Sequence, residues 1–261
     1  MPKKEITGVV LKDMDLGEDD LLVTFYTREE GILRLAAPSS KRMTSDFSGM
    51  LQKFCWNDIE YYRKDSESLG SISDLELRRQ HAQIKNNLKK LSYGSYVLEF
   101  IYKTGTEIAQ PDYFGHLVRT LSLLMEAEID DEVELKAIHA VFKLKALDFL
   151  GIRPRLKRCS DCQKSMSGEK FADGYKASLS IKAGGVTCCQ KPEISRGRMP
   201  IDFSSFKFLV ESFSRGYDIL LDDRKLSVDE DRLDYINRML DKFIDYHLDL
   251  SLNSSRFLSL F

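Results

Sequence analysis

No stretch of this 261-residue chain approaches the roughly 20 consecutive apolar residues that a membrane-spanning helix needs. The opening Met1-Pro2-Lys3-Lys4-Glu5-Ile6 also has no apolar segment of the kind that marks a secretory leader. No membrane partner is therefore expected, and the expected compartment is the cytoplasm. Histidine is scarce: His81, His116, His139 and His247 stand apart, without the H-x-x-x-H or H-E-x-x-H spacing of metal-ligating pairs. Those within helical segments are expected at helix surfaces or boundaries. There is no G-x-x-x-x-G-K-[ST] phosphate loop, no G-x-G-x-x-G fingerprint and no G-x-S-x-G elbow. The carboxylate pairs Asp19-Asp20, Asp130-Asp131 and Asp222-Asp223 fall at turns or helix starts, where capping and solvation account for them. The chain is expected not to be an enzyme, and no residue is assigned a catalytic role.

What is present is enough for a folded body. At 43% apolar and 31% charged, the chain can bury one large core or two modest ones. Its net charge is −2, but the cations are not spread evenly. Residues 151–200 hold eleven Lys/Arg against four Asp/Glu, a local +7 on an otherwise acidic chain. Such a basic segment is the footprint expected of a phosphate-binding surface, whatever the overall charge.

Four of the five cysteines lie inside that segment, as Cys159-Ser160-Asp161-Cys162 and Cys188-Cys189. A C-x-x-C pair lets two thiolates approach one tetrahedral ion from a tight turn, and a second cluster after a hairpin completes a four-sulfur set. In a reducing cytoplasm this clustering points to a structural zinc ion rather than disulfides. A lobe that keeps the finger fold without the ion is the alternative. The second pair is irregular, because a regular knuckle would place its last thiol at Lys191. The fourth ligand therefore stays open between Cys189, Glu193 and water.

Periodicity divides the rest. Ile6–Leu11, Leu21–Tyr26, Gly31–Ala36, Phe54–Tyr62 and Leu69–Leu75 read as five short strands. They predict a small closed barrel of OB-fold type, with an SH3-like barrel also possible. After Arg78 the period becomes helical: Leu88 to Tyr102, a helix opening at Pro111, and one from Glu132 to Leu150. Beyond the cysteines it resumes at Asp202 and again over Val228 to Leu248. The expected architecture is α+β and multidomain, with a barrel over residues 1–78, a helical domain over 79–151 and 200–261, and a zinc-finger-like lobe inserted at 152–199.

Two cationic surfaces are candidates for nucleic acid. Arg153, Arg155, Lys157 and Arg158 crowd the entry to the lobe, and Lys164, Lys170, Lys176, Lys182, Lys191, Arg196 and Arg198 continue the charge. On the barrel, Arg34, Lys41, Arg42, Lys53 and Arg63 accompany Phe47, Phe54, Trp56, Tyr61 and Tyr62, a combination that can hold single strands by stacking beside cations. A protein-only adaptor, consistent with the net negative charge, is the competing class.

The order of parts, with Leu150-Gly151-Ile152-Arg153-Pro154 before the first cysteines and Leu252-Asn253-Ser254-Ser255-Arg256-Phe257-Leu258 near the end, resembles the RecO family of bacterial recombination mediators. Thr7-Gly8-Val9-Val10-Leu11, the Gly17-Glu18 turn, Thr27-Arg28-Glu29-Glu30-Gly31 and Gly184-Gly185 carry the same resemblance across the whole chain. It implies an OB-fold, a helical domain and a zinc finger with Cys159, Cys162 and Cys188 as ligands and Cys189 as an approximate fourth. It further implies binding of single- and double-stranded DNA, annealing of complementary strands, and work with RecR. The acidic, phenylalanine-ended tail of single-stranded DNA-binding protein and, indirectly, RecA are implied partners. Lys85, Lys89, Lys143 and Lys145 are the helical cations available to rim a site for that tail. The chain departs from the family pattern after the third strand, where only Lys41 and Arg42 remain of a basic loop.

Overall fold

Alternating burial builds the N-terminal sheet in the computed structural model, which describes residues 3–42, 45, 47, 49–65, 67–128, 131–166, 177–189, 197–220 and 228–258. The strands are β1 (Lys3–Leu16), β2 (Asp20–Thr27), β3 (Gly31–Ala37), β4 (Cys55–Tyr62) and β5 (Gly70–Gln80). They close into a barrel in the order β1-β2-β3-β5-β4. The seam is a short parallel contact of β3 with β5 at Leu35–Gly70 and Ala36–Ser71. This is the OB-type arrangement rather than the SH3-like one. In β3 and β4 every second residue faces inward, so Leu33, Leu35, Ile59 and Tyr61 meet Val10, Val23, Phe25 and Ile72 in the barrel core. β1 outruns its predicted span because its second half, Lys12 to Leu16, extends as a hairpin with β2 beyond the core. Gly31 is required where β2 turns into β3. Its φ is +70°, and a Cβ there would lie 2.2 Å from the Thr106 carbonyl oxygen.

By contact density the chain forms two compact units, Met1–Glu126 with Leu252–Phe261, and Ala127–Ser251. The first adds to the barrel α1 (Ala82–Lys85), α2 (Leu88–Thr104), α3 (Pro111–Glu126) and the short α7 (Ser254–Leu258). Asn87 caps α2 by accepting from the Lys90 amide. The return of the chain is fastened by Glu99 of α2, whose carboxylate accepts the Asn253 and Ser254 amides at 3.0 and 2.8 Å. Burial alone would raise the Glu99 pKa, but Ser254, the Asn253 amide and Lys103 outweigh it and hold the group at about 2. A depressed carboxylate lends stability above its unfolded value and loses it as pH falls through the folded one. Protection of the Asn253 and Ser254 amides, measured against the unfolded exchange rate at the same pH, is therefore expected to fall between about pH 4.5 and about 2, and in Glu99→Gln already at neutral pH. Unchanged protection in the variant would refute the clasp.

The second unit is organised around α4 (Glu132–Phe149), in which Leu135 through Leu144 are all buried. Around it lie a three-stranded sheet in the order β7 (Gly185–Thr187), β6 (Ala177–Ser180), β8 (Arg198–Ile201), then α5 (Phe203–Arg215) and α6 (Glu230–Leu248). Asp131, Asp202 and Asp229 cap the three helices. Burial on every side of α4 traps polar groups. Lys136 meets Glu230 and Asp234 of α6 at 2.8 and 2.9 Å, and Lys143, 1% exposed, meets Asp241 at 2.6 Å.

The surface or boundary placement expected for the helical histidines holds for half-buried His247 and fails for His139 and His116. His139 and His116 are buried, and burial, with the Lys143 charge beside it, pulls His139 well below its ordinary pKa. His247 Nε2 donates to the Ile181 carbonyl at 2.8 Å. Among the described residues, no helix is long and apolar enough to cross a membrane.

Candidate metal centre and nucleic-acid interface

Cys159 sits at the end of an extended segment that follows α4 and is buried; its amide donates to the Lys164 carbonyl, and Gln163, at φ +61°, turns the chain back. β7 delivers Cys188 and Cys189 from the other side. All four sulfurs lie within 4.8 Å of one another, with Cys159–Cys189 at 3.9 Å and Cys162–Cys188 at 3.6 Å. Four thiolates at zinc–sulfur distance from one ion stand about 3.8 Å apart, so the donor set fits a tetrahedral metal. Cys189 converges with the rest, and neither it nor Cys188 has positive φ. The adjacency that breaks the regular knuckle spacing is accommodated by ordinary backbone. Glu193, the alternative ligand, lies outside the described residues.

Hydrogen bonds and the mutual crowding of the sulfurs set the electrostatics of the cluster. Burial pushes the Cys159 thiol up, but amides of Cys162, Cys188 and Asp161 and the Thr187 hydroxyl outweigh it and hold the group at about 5. Cys189 is pushed to about 12, first by its contact with Cys162, then by burial and by Cys159. A brace unforeseen from sequence surrounds the cluster. Asp161, inside the C-x-x-C turn, accepts from Thr187 and from Arg198, and Arg198 also donates to the Cys189 carbonyl. Arg198, counted in sequence as a phosphate cation, is thus consumed by structure. The signal was present as an acidic residue between two ligands facing a distant cation.

Immediately before the cluster, residues 153–157 alternate exposed and buried. Pro154 and Leu156 point inward, while Arg153, Arg155 and Lys157 point out. With Arg158 they line one groove of about 450 Å³. Arg155 donates to the Ala183 carbonyl at 2.6 Å and Arg158 to the Gln163 carbonyl at 3.5 Å. These neutral partners orient the guanidinium groups without cancelling their charge. Arg153 lies over the Phe213 ring at 4.2 Å and 3.7 Å from Asp148. Lys164 and Lys182 are also exposed; Lys170, Lys176, Lys191 and Arg196 lie outside the described residues.

The barrel cations contrast with these. Lys41 pairs with Asp15 at 3.1 Å and Arg42 with Asp19 at 2.6 Å, so the thin loop spends its charge on the β1–β2 turn. Arg34 lies in a groove of about 790 Å³ of mixed charge, with Lys4, Arg63 and Lys64 set among Glu29, Glu30, Asp65, Glu67 and Glu107. Lys53 is exposed and has no ion pair among the described residues. The expected stacking platform is largely core. Phe54 and Tyr61 are buried, Trp56 packs on Phe114 and under Arg78, and of the aromatics named only Tyr62 is well exposed. Lys143 is likewise unavailable to rim a docking site, and Lys145 donates to the Phe213 carbonyl.

Comparison with known proteins places these parts. The family model described as "Recombination protein O N terminal" matches residues 1–81, and "Recombination protein O C terminal" matches residues 85–256. A protein named DNA repair protein RecO from Alkaliphilus metalliredigens is 27% identical over 93% of this chain and 92% of its own length. One of the same name from Gloeobacter violaceus is 26% identical over 97% and 92%, and one from a Cyanothece species is 31% identical over 69% and 60%. Matched by both family models from its first strand to its last helix, the chain belongs to the recombination protein O family.

Proposed function

We propose that this protein is a DNA-binding recombination mediator acting in DNA repair by a RecF-type pathway. It binds single- and double-stranded DNA, anneals complementary strands, and with RecR helps load RecA onto DNA coated by single-stranded DNA-binding protein. The reading rests on family membership and on one observation above others: a groove in which Arg155, Lys157 and Arg158 face outward with no carboxylate partner among the described residues. Annealing needs no covalent chemistry. Neutralising the phosphates of two strands on one surface raises the local concentration of complementary bases, and pairing supplies the rest. Cys159, Cys162, Cys188 and Cys189 would hold one zinc ion, whose role is to staple the lobe. Four sulfurs leave no open position for a substrate, and no residue is assigned a catalytic role. The working parts are the barrel (1–78), the helical scaffold (79–151 and 200–261) and the lobe (152–199), acting in the cytoplasm on the nucleoid.

Charge on the barrel favours a second reading, a protein-only adaptor. A groove of about 390 Å³ there carries Glu5, Glu29, Asp58, Glu60, Asp74 and Glu76 with Arg78 as its cation, which repels phosphate. An annealing assay with bare complementary strands separates the two readings, because an adaptor gives no acceleration without its partners. The mediator reading expects acceleration by the wild type, and its loss when Arg155, Lys157 and Arg158 are all changed to glutamate. Equal annealing by that variant would remove the lobe from the account.

A further inference from the structure

Strand β3 is paired on one side only for much of its length. It meets β2 from Gly31 to Ala37, whereas β5 joins its other side at Leu35 and Ala36 alone. In an antiparallel strand, successive residues turn both their backbone groups to opposite sides. The Ile32 amide donates to the Thr106 carbonyl at 2.8 Å, away from β2, so Ile32 and Arg34 both face the open side. There β5, entering in parallel opposite Leu35, takes the Arg34 carbonyl. Two groups are left over. Neither the Ile32 carbonyl nor the Arg34 amide has a hydrogen-bond partner among the described residues.

Those two groups face open space, because Ile32, Leu33 and Arg34 line the groove of about 790 Å³ on the barrel. Its walls are Lys64 and Leu69 on the β4–β5 connection and Glu107 and Ala109 beyond α2. An unpaired edge beside a groove is a template for one more strand. We propose that this edge takes up an extended segment of a partner protein by strand addition, with its backbone bonded to the Ile32 carbonyl and the Arg34 amide. Side chains define what fits. Ile32 and Arg34 alternate with Leu33, which is packed in the barrel core, and Arg34 is exposed with no ion pair among the described residues. The added strand therefore sets an apolar side chain beside Ile32, an acidic one beside Arg34, and a small residue between them. Phosphate gains little here, since the groove sets five carboxylates among four cations. A second copy of this chain does not fit either. Thr106 closes one end of the edge and β5 the other, leaving room for three residues, whereas a second β3 is seven residues long and embedded in a folded barrel.

The test titrates short peptides, with Val-Gly-Glu or Glu-Gly-Val set in a frame of threonines, into the isotope-labelled full chain and follows it by NMR. At millimolar peptide, one of the two directions should shift the Arg34 amide resonance and slow its hydrogen exchange. Arg34→Glu, at an exposed position, should weaken that peptide about five-fold and prefer a version with lysine in place of the glutamate. The unchanged remainder of the spectrum would show that the barrel is intact. An Arg34 amide moved by neither peptide would overturn the site, and equal affinity of wild type and Arg34→Glu would overturn the acidic partner. Oligothymidine that moves this amide where the peptides do not would assign the edge to nucleic acid. A shift that follows protein concentration without any ligand would assign it to a second copy. Either result would overturn the peptide.

Discussion

Cys159→Ser is expected to lower metal affinity by at least about 100-fold and to unfold the lobe around it, because a structural ion supplies folding free energy outright in so small a body. Cys159 is the centre of the cluster. It is the buried member, and its sulfur receives the Cys162 and Cys188 amides at 3.5 and 3.4 Å and lies 3.7 Å from the Thr187 hydroxyl. Serine's shorter, harder oxygen cannot reach those donors and an ion together. The convergence of all four sulfurs extends the expectation: Cys188→Ser and Cys189→Ser should each lose metal too. Elemental analysis of the purified variants, with zinc titrated against a chromophoric chelator, decides the point. Retention of one tightly held zinc by Cys189→Ser would mean a three-cysteine site completed from elsewhere.

The second large effect is asymmetric. Asp241→Asn should cost about 3 kcal/mol, since it takes from a buried ammonium the carboxylate it is bonded to and leaves the weaker pull of Asp245. Lys143→Met should cost less than about 1 kcal/mol, because the methionine fills the volume while Asp241, over a third exposed, turns to water. Lys143 faces His139 on its own helix and Asp241 and Asp245 on α6. Burial lowers its pKa and the two carboxylates only partly restore it.

The sign follows from proton counting. Between the depressed folded value and the ordinary one the unfolded chain binds more protons, so stability rises with pH. Asp241→Asn removes an upward pull and should carry that rise to lower pH. Urea unfolding from neutral to alkaline pH tests both parts, and equal costs for the two substitutions would show that the lysine's charge is not what the site must balance.

The same ladder marks the limit of what the sequence showed. Barrel strands were legible because β3 and β4 alternate strictly, and helix starts because Pro111 and Asp202 carry their own local chemistry. α4 was found, but its surroundings were not. A helix buried on every side has no polar face to read, and from sequence His139 and Lys143 read as surface or boundary residues. A usable signal existed in the seven-residue spacing of Lys136 and Lys143, matched by Asp234 and Asp241 on α6. At the cysteines, composition identified the donors, whereas their convergence depended on Asp161, Thr187 and Arg198, which are distant in sequence. Barrel aromatics misled for a simpler reason: a ring in a strand can face the core or solvent, and alternation puts Tyr61 inside and Tyr62 outside.

Glu99's hold on the returning chain bears on the order of synthesis. The first unit draws on both Met1–Glu126 and Leu252–Phe261, while the second is one uninterrupted run between them. A ribosome therefore finishes the whole metal-bearing unit before it supplies the segment that Glu99 fastens. The unit that begins first is completed last, and until then the carboxylate that clasps α7 waits in water.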